Sequence, residues 1–200
     1  GSLCAKPTNV GFDEAAASVD GASTALFFLR DKADVRPGQR VLIVGASGSI
    51  GSYAVQLARH LGAEVTGVCS TPNVELVESL GAHHVIDYTR QNFAQSSTTY
   101  DVVFDTVGRS SFGQSKAVLA HSGVYVATTG LVNYLLAWAT RFRSGKRAIT
   151  GMSVDKRAAL PYLRTLIEAG ELRILIDRRF DLDEIVEAHR YVDSGRKRGN

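Results

Sequence analysis

Six residues in this sequence have types and a spacing suited to holding a phosphorylated ligand: Ala46-Ser47-Gly48-Ser49-Ile50-Gly51. They read as G-x-G-x-x-G with alanine in the first slot, and Gly45 stands just before them. A small first residue permits a tight turn, Gly48 lets backbone approach a pyrophosphate, and Gly51 lets the following helix pack closely. A helix opening at Ser49 would aim its free N–H groups and its positive dipole end at the phosphates. The chemistry implied is recognition of a nicotinamide dinucleotide. The bland alternative is a glycine-rich structural turn, and only the surrounding elements separate the two.

Those elements agree with the sharper reading. Val41-Leu42-Ile43-Val44 is a short unbroken apolar run, as expected of a strand buried on both faces. From Ser49 the period becomes helical, with Ile50, Ala54, Leu57, Ala58 and Leu61 on one face and Gly62 as the stop. The alternation then repeats. Strands are predicted at Val65–Val68, Val85-Ile86, Asp101–Asp105, Val124–Ala127 and near Arg147–Thr150. Helices are predicted over 13–34, 73–80, 111–120, 131–143 and 156–169, with a last one over 181–192. Residues 90–99 read as a loop and 172–176 as extended chain. In the last helix Asp181 and Glu184 suit a capping box, and Leu182, Ile185, Val186 and Val192 are expected to face inward. Strand–helix alternation of this kind predicts an α/β fold with a doubly wound parallel sheet. Residues 1–200 are read as one domain, with 1–12 as a connecting segment.

The next informative position is the end of the second strand, about twenty residues after the glycines. NAD-selective sites place a carboxylate there for the ribose 2′-OH. This chain has Cys69-Ser70-Thr71-Pro72-Asn73, with hydroxyls and an amide but no carboxylate. That favours NADP (NADPH) and makes NAD the lesser expectation. Ser70 and Thr71 also suit helix capping, and the two roles are compatible.

Bulk composition narrows the classes further. A net charge of +3, spread along the chain, gives no case for nucleic acid, and the Arg196-Lys197-Arg198 group reads as a solvated basic turn. Two cysteines make no disulfide framework, so a reducing, cytoplasmic setting is expected. No signal-peptide pattern opens the chain, and the apolar run from Leu131 to Thr140 is too short for a membrane span.

With these residues in view, the sequence resembles the medium-chain dehydrogenase/reductase superfamily, in its quinone-oxidoreductase-like branch (akin to zinc-type alcohol dehydrogenases). The matching stretches are Val41–Ala58, Leu61–Thr66, Leu80–Tyr88, Asp101–Gly108 and Ala188–Gly199. The resemblance implies a Rossmann fold in which Ala46–Gly51 holds the pyrophosphate. It places Ser70, Thr71, Asn73 and Tyr88 around the adenosine 2′-phosphate. Asp105, Thr106, Val107 and Gly108, with Thr129 and Gly130, would lie along the adenosine and nicotinamide halves. Thr24 matches a family contact near the phosphates or nicotinamide. Similar members carry Arg or Lys where this chain has Pro72, and Arg90, Lys197 or Arg198 are the candidate substitutes.

The resemblance also implies what lies outside this stretch. Family members have an N-terminal GroES-like barrel holding most of the substrate site, and a strand returning to it after the position of Asn200. The 200 residues are therefore expected to be the cofactor-binding part, bounded short at both ends and inactive alone. No catalytic residue is assigned; Tyr53 is read as a helix residue rather than an acid. Asp20 falls where zinc-dependent members place a cysteine ligand, and neither the cysteines nor His83-His84 have ligand spacing, so no metal is expected. The expected parent is a zinc-independent reductase that passes hydride to a quinone, enone or carbonyl. Its substrate would be a small molecule, engaged through the absent domain.

Other classes were weighed. Short-chain dehydrogenases need Tyr-x-x-x-Lys, and none of the seven tyrosines has lysine four residues later. An enoyl-reductase module of a multidomain synthase remains a variant. So does a non-enzymatic cofactor-binding or interaction domain. The apolar stretch Leu131–Phe142 is read as a substrate-cleft or core helix, or as a surface for pairing two copies.

Overall fold

The computed structural model describes residues 3–141 and 145–200. The strands expected from the sequence all form, in one sheet. They are β1 (Arg40–Val44), β2 (Glu64–Cys69), β3 (His84–Asp87), β4 (Tyr100–Asp105) and β5 (Leu119–Ala127), joined by β6 (Arg147–Thr150). All five neighbouring pairs are parallel, and the order is β3-β2-β1-β4-β5-β6. The order reverses at β1, so β1 and β4 flank the switch point. In open α/β sheets that is where a crevice opens beyond the carboxyl ends of the strands.

Side-chain alternation along each strand builds two cores. Val41 and Ile43 of β1, Val102 and Phe104 of β4, and Val124 and Val126 of β5 face one way. They meet α1 (Phe12–Leu26), α2 (Ser49–His60), α3 (Val74–Ser79) and α6 (Ala159–Glu168). Leu42, Val44, Val103, Tyr125 and Ala127 face the other way, toward α4 (Phe112–Ser115) and α5 (Leu131–Thr140). Strands that bury both faces need unbroken apolar runs, which is why periodicity of two was absent from the sequence. The doubly wound α/β fold expected from the sequence is present.

Several boundaries differ from the expectation. The long first helix is not uniform: α1 gives way to a π-helical stretch at Phe27–Lys32, where Ala33 N–H reaches back to Phe28 O at 2.8 Å. The helix expected over 111–120 stops at Ser115, because Val118 and Leu119 are drawn into the sheet-side core and β5 starts at Leu119. Residues 172–176 form no strand. The expected helix over 131–143 is seen to Thr140, while Phe142 lies outside the described residues.

The last helix, α7 (Ile185–Asp193), brings the clearest correction. Asp181 N–H does donate to Glu184 Oε2 at 2.9 Å. Yet Leu182, Ile185, Val186 and Val192 do not face inward; each is at least half exposed. The amphipathic stripe is real, but periodicity says only that a face is apolar, not that a partner within the chain meets it.

Candidate dinucleotide site

β1 ends at Val44, and the chain turns sharply in the space between the ends of β2 and β4. Gly45 has φ +81°, and its N–H and that of Ala46 both donate to Val68 O, at 3.1 and 3.0 Å. A Cβ on Gly45 would meet Val107 side-chain carbons at 2.6 and 2.8 Å. The left-handed residue of the turn is therefore Gly45 rather than Ala46, whose methyl is fully buried. Sequence reading gave the tight turn to Ala46, since the glycine spacing was counted from that slot.

The other two glycines differ in kind. A Cβ on Gly51 would overlap the Gly45 carbonyl oxygen and lie 2.8 Å from its carbon. Gly51 is thus what lets α2 start directly against the turn. A Cβ on Gly48 would have only ordinary contact, 3.4 Å from Gly45 O. The protein has room for a side chain at Gly48, so what needs its bareness lies on the outer side, where a ligand would sit. α2 begins at Ser49 with Gly48 as its N-cap and no side chain capping it. Its first N–H groups accordingly point outward unclaimed by a capping side chain, as an anion site requires.

The second wall is the loop after β4. Val44 and Asp105 are paired across β1 and β4. Asp105 is fully buried, and its carboxylate gathers the loop around itself. Oδ1 accepts from the N–H groups of Val107, Gly108 and Arg109 at 3.1, 2.8 and 3.3 Å. Oδ2 accepts from Ser110 N–H, Ser110 Oγ and Tyr125 Oη at 2.8, 2.9 and 3.2 Å. Burial, against the Ser110 hydrogen bond, pushes the Tyr125 phenol up to about 12, and the Asp105 charge adds to the rise. Asp105 has no oxygen to spare for a ligand; it shapes the loop that would face one. Thr106 Oγ1 donates to Val44 O at 2.8 Å, which ties this loop to the glycine turn. Gly108, at φ +68°, passes so close to Thr129 that a Cβ would lie 2.8 Å from its Oγ1. Gly130 caps α5 at φ +96°.

The third wall comes from β2 and β3. Asn73 Nδ2 donates to Ser47 Oγ at 3.1 Å and to Ser70 Oγ at 3.2 Å, so three expected site residues meet. Asn73 Oδ1 is buried without a hydrogen-bond partner among the described residues. Ser70 makes no side-chain cap bond, so its capping alternative is not the one used. Thr71 is differently employed. Its hydroxyl donates to Asp87 Oδ2 at 2.6 Å and lies 2.9 Å from Thr89 Oγ1. Tyr88 is 60% exposed, and its ring is free to receive a ligand.

Asp87 is the residue that sequence reasoning passed over. A carboxylate was sought at the end of β2 alone, but β3 pairs Cys69 with Asp87 and brings one to the same rim. It accepts from Thr71 Oγ1, Thr89 N–H and Thr89 Oγ1, and Arg90 Nε lies 3.5 Å away. The Thr71 hydrogen bond, with those of Thr89 and the Arg90 charge, holds its carboxyl below the usual 3.8. The visible signal was Asp87-Tyr88 at the end of a predicted strand next to the glycine strand's neighbour.

Thr24 lies near the end of α1, half-buried. Gly21, one helical turn earlier, lets α1 lie on the start of α2: a Cβ there would be 2.9 Å from Ser49 O. His83 is structural, its Nδ1 accepting from Val65 N–H at 3.0 Å. Tyr53 is fully buried on α2, and burial pushes its phenol well above 10. Among the described residues no three His, Cys, Asp or Glu side chains come together in a way that would hold a metal ion. No helix among them is long and apolar enough to cross a membrane.

Glycine turn, hub-anchored loop and hydroxyl rim thus all lie at the switch point of the sheet. Residues 80–200 match the family pattern described as zinc-binding dehydrogenase. The chain belongs to the zinc-binding dehydrogenase family. It is 34% identical over 199 residues to a tomato (Solanum lycopersicum) 2-methylene-furan-3-one reductase, covering 97% of this chain and 47% of that protein. It is 29% identical to an Arabidopsis thaliana chloroplastic NADPH-dependent alkenal/one oxidoreductase, over 98% and 48% of the two chains. The solved quinone oxidoreductase of Coxiella burnetii superposes with a TM-score of 0.89 at 31% identity, over 98% of this chain and 62% of that one. The chain thus spans about half the length of the curated relatives it matches. Family and quinone-oxidoreductase-like branch both stand as the sequence resemblance implied.

Proposed function

We propose that this chain binds NADPH and forms the cofactor-binding half of a zinc-independent oxidoreductase acting on a small quinone, enone or carbonyl compound. The observation that carries the reading is the turn itself. Gly48 has no steric need within the protein to be glycine, and it precedes the uncapped start of α2 at the β1/β4 switch point. Bare backbone and unclaimed N–H groups at one spot fit a pyrophosphate. The NADPH dependence named for the Arabidopsis relative supports the choice of cofactor. When bound, the dinucleotide would supply hydride at its nicotinamide.

The protein's own work is to hold and orient. Ser47, Gly48, Ser49, Ile50 and Gly51 would hold the pyrophosphate, and Val107 and Gly108, with Thr129 and Gly130, would lie along the rest of the cofactor. Ser70, Asn73 and Tyr88 would meet the 2′-phosphate, with Arg90 as the nearby cation in place of the side chain that Pro72 lacks. Thr71 would contribute only lone pairs, since its proton is committed to Asp87. The substrate would be completed by a region outside these residues, so turnover by this chain alone is expected to be negligible. Two unpaired cysteines suit a reducing compartment such as the cytoplasm.

Calorimetric titration with NADPH and, separately, NADH tests the reading. Tighter NADPH binding is expected. Equal or NADH-favoured binding would overturn the NADP assignment and point to Asp87 as the selecting group. Binding of neither would remove the cofactor role from this chain.

A further inference from the structure

The segment Gly199–Asn200 lies against the glycine turn, at three points. Gly199 N–H donates to Ser47 O at 2.8 Å. Asn200 Oδ1 accepts from Ser49 Oγ, and Asn200 Nδ2 donates to Tyr53 Oη at 3.3 Å. One side chain therefore joins the first residue of α2 to a residue one turn further along. Tyr53 sits beneath the turn, its ring fully buried and close to where α1 crosses at Gly21. Among the described residues its hydroxyl makes one other hydrogen bond, a long one donated to Ala17 O at 3.4 Å.

The segment is itself anchored from behind. Asn200 N–H donates to Leu175 O at 2.9 Å, and Asp177 N–H donates to Asn200 O at 2.7 Å. Gly199 is buried at φ +58°, and a Cβ there would lie 2.5 Å from Leu175 O. Asp177 Oδ2 also accepts from Arg198 N–H at 3.0 Å and from Tyr191 Oη of α7. The stretch 175–177 is thus a backing on which Gly199–Asn200 is fixed.

None of the atoms touched on the turn is a backbone N–H. The contacts engage a carbonyl and two hydroxyls, and they leave the outward-facing donors of α2 free. We propose that Asn200 is a positioning residue. It holds Ser49 and Tyr53 so that the glycine turn keeps its binding geometry before any dinucleotide arrives. A turn already fixed loses less freedom on binding, which is how preorganisation raises affinity. The proposal rests on the dinucleotide reading of the turn, but its structural half does not depend on a ligand.

The test compares the wild-type chain with Asn200→Ala, Tyr53→Phe, the double variant and Asn200→Asp. Two readouts are taken: amide hydrogen exchange of residues 45–52 in the unliganded chain, and the calorimetric Kd for NADPH. Asn200→Ala is expected to speed exchange in 45–52 while the strands keep wild-type protection. It should weaken NADPH about tenfold, the worth of one or two hydrogen bonds. The double variant should lose less than the product of the two single losses, because both act through one contact. Asn200→Asp, which keeps an acceptor for both hydroxyls, should restore slow exchange. Unchanged exchange in Asn200→Ala, or an NADPH affinity within twofold of wild type, would overturn the proposal. Should that variant not fold, Tyr53→Phe alone removes one of the two bonds and is read the same way. If the wild-type chain binds no dinucleotide, the functional reading fails, and exchange alone still decides whether Asn200 holds the turn.

Discussion

Gly48 and Gly51 stand three residues apart in one pattern, yet they answer to different constraints. Gly51→Ala would drive a methyl into the Gly45 carbonyl. It should cost about 2–3 kcal/mol, seen as a lower Tm, together with lost dinucleotide binding. Gly48→Ala has room within the protein and should leave stability within about 1 kcal/mol of wild type while binding falls at least tenfold. Paired thermal and calorimetric measurements separate the two; unchanged dinucleotide binding by Gly48→Ala would mean that the outer face at Gly48 is not where ligand sits.

Asp87 makes a pH prediction. Its carboxyl is held below 3.8 in the folded chain, chiefly by the Thr71 hydroxyl. A group that binds its proton more weakly when folded stabilises the fold above its unfolded value, and the gain is lost as pH falls through the folded value. The stability gap between wild type and Asp87→Asn, measured by urea unfolding, should therefore be widest near pH 7 and close below about 3.8. A gap that does not change with pH would mean that the hydrogen bonds do not discriminate between the charged and neutral carboxyl. The glycine turn was legible in the sequence because its constraint is local. The pairings of Asp87 with Thr71 and of Asp105 with Tyr125 were not, since sheet register brings those residues together only after folding.

At the scale of elements, strands were the easiest to foresee, for a strand buried on both faces has few other ways to be written. Helices were located well and oriented less well. α5 carries Leu131, Leu135 and Trp138 at 70% exposure or more, so it is not a core helix; a substrate-cleft helix and a surface for pairing two copies are the other roles its sequence allows. Only its inner side reaches the sheet, through Leu136 and through Thr140 Oγ1, which accepts from Ala148 N–H of β6 at 3.0 Å. Leu135→Gln and Trp138→Gln should each change stability by less than about 0.5 kcal/mol. A loss of several kcal/mol in urea unfolding would show that those side chains are covered in solution. α7 teaches the same point, as its apolar stripe at Ile185, Val186 and Val192 was read as inward and is half exposed. The short α4 has a different cause: a stretch with helical spacing yielded to a strand that begins at Leu119.

At the scale of the whole molecule, the parallel order 3-2-1-4-5-6 joins near neighbours in sequence everywhere except at the centre. β1 meets β2 after one helix, but β4 reaches β1 only after about sixty residues of intervening chain. Closing so long a loop costs entropy before any pairing repays it. The unit from Arg40 to Asp87 can assemble by itself, whereas the seam beside it must wait for β4. Pulse-labelled exchange during refolding should protect β1–β2 amides before those of β4, and simultaneous protection would contradict this order. On the ribosome the same delay has a direction. The proposed dinucleotide crevice lies along the seam that closes late, so a nascent chain would present a half-built sheet with one raw edge until Asp105 has emerged.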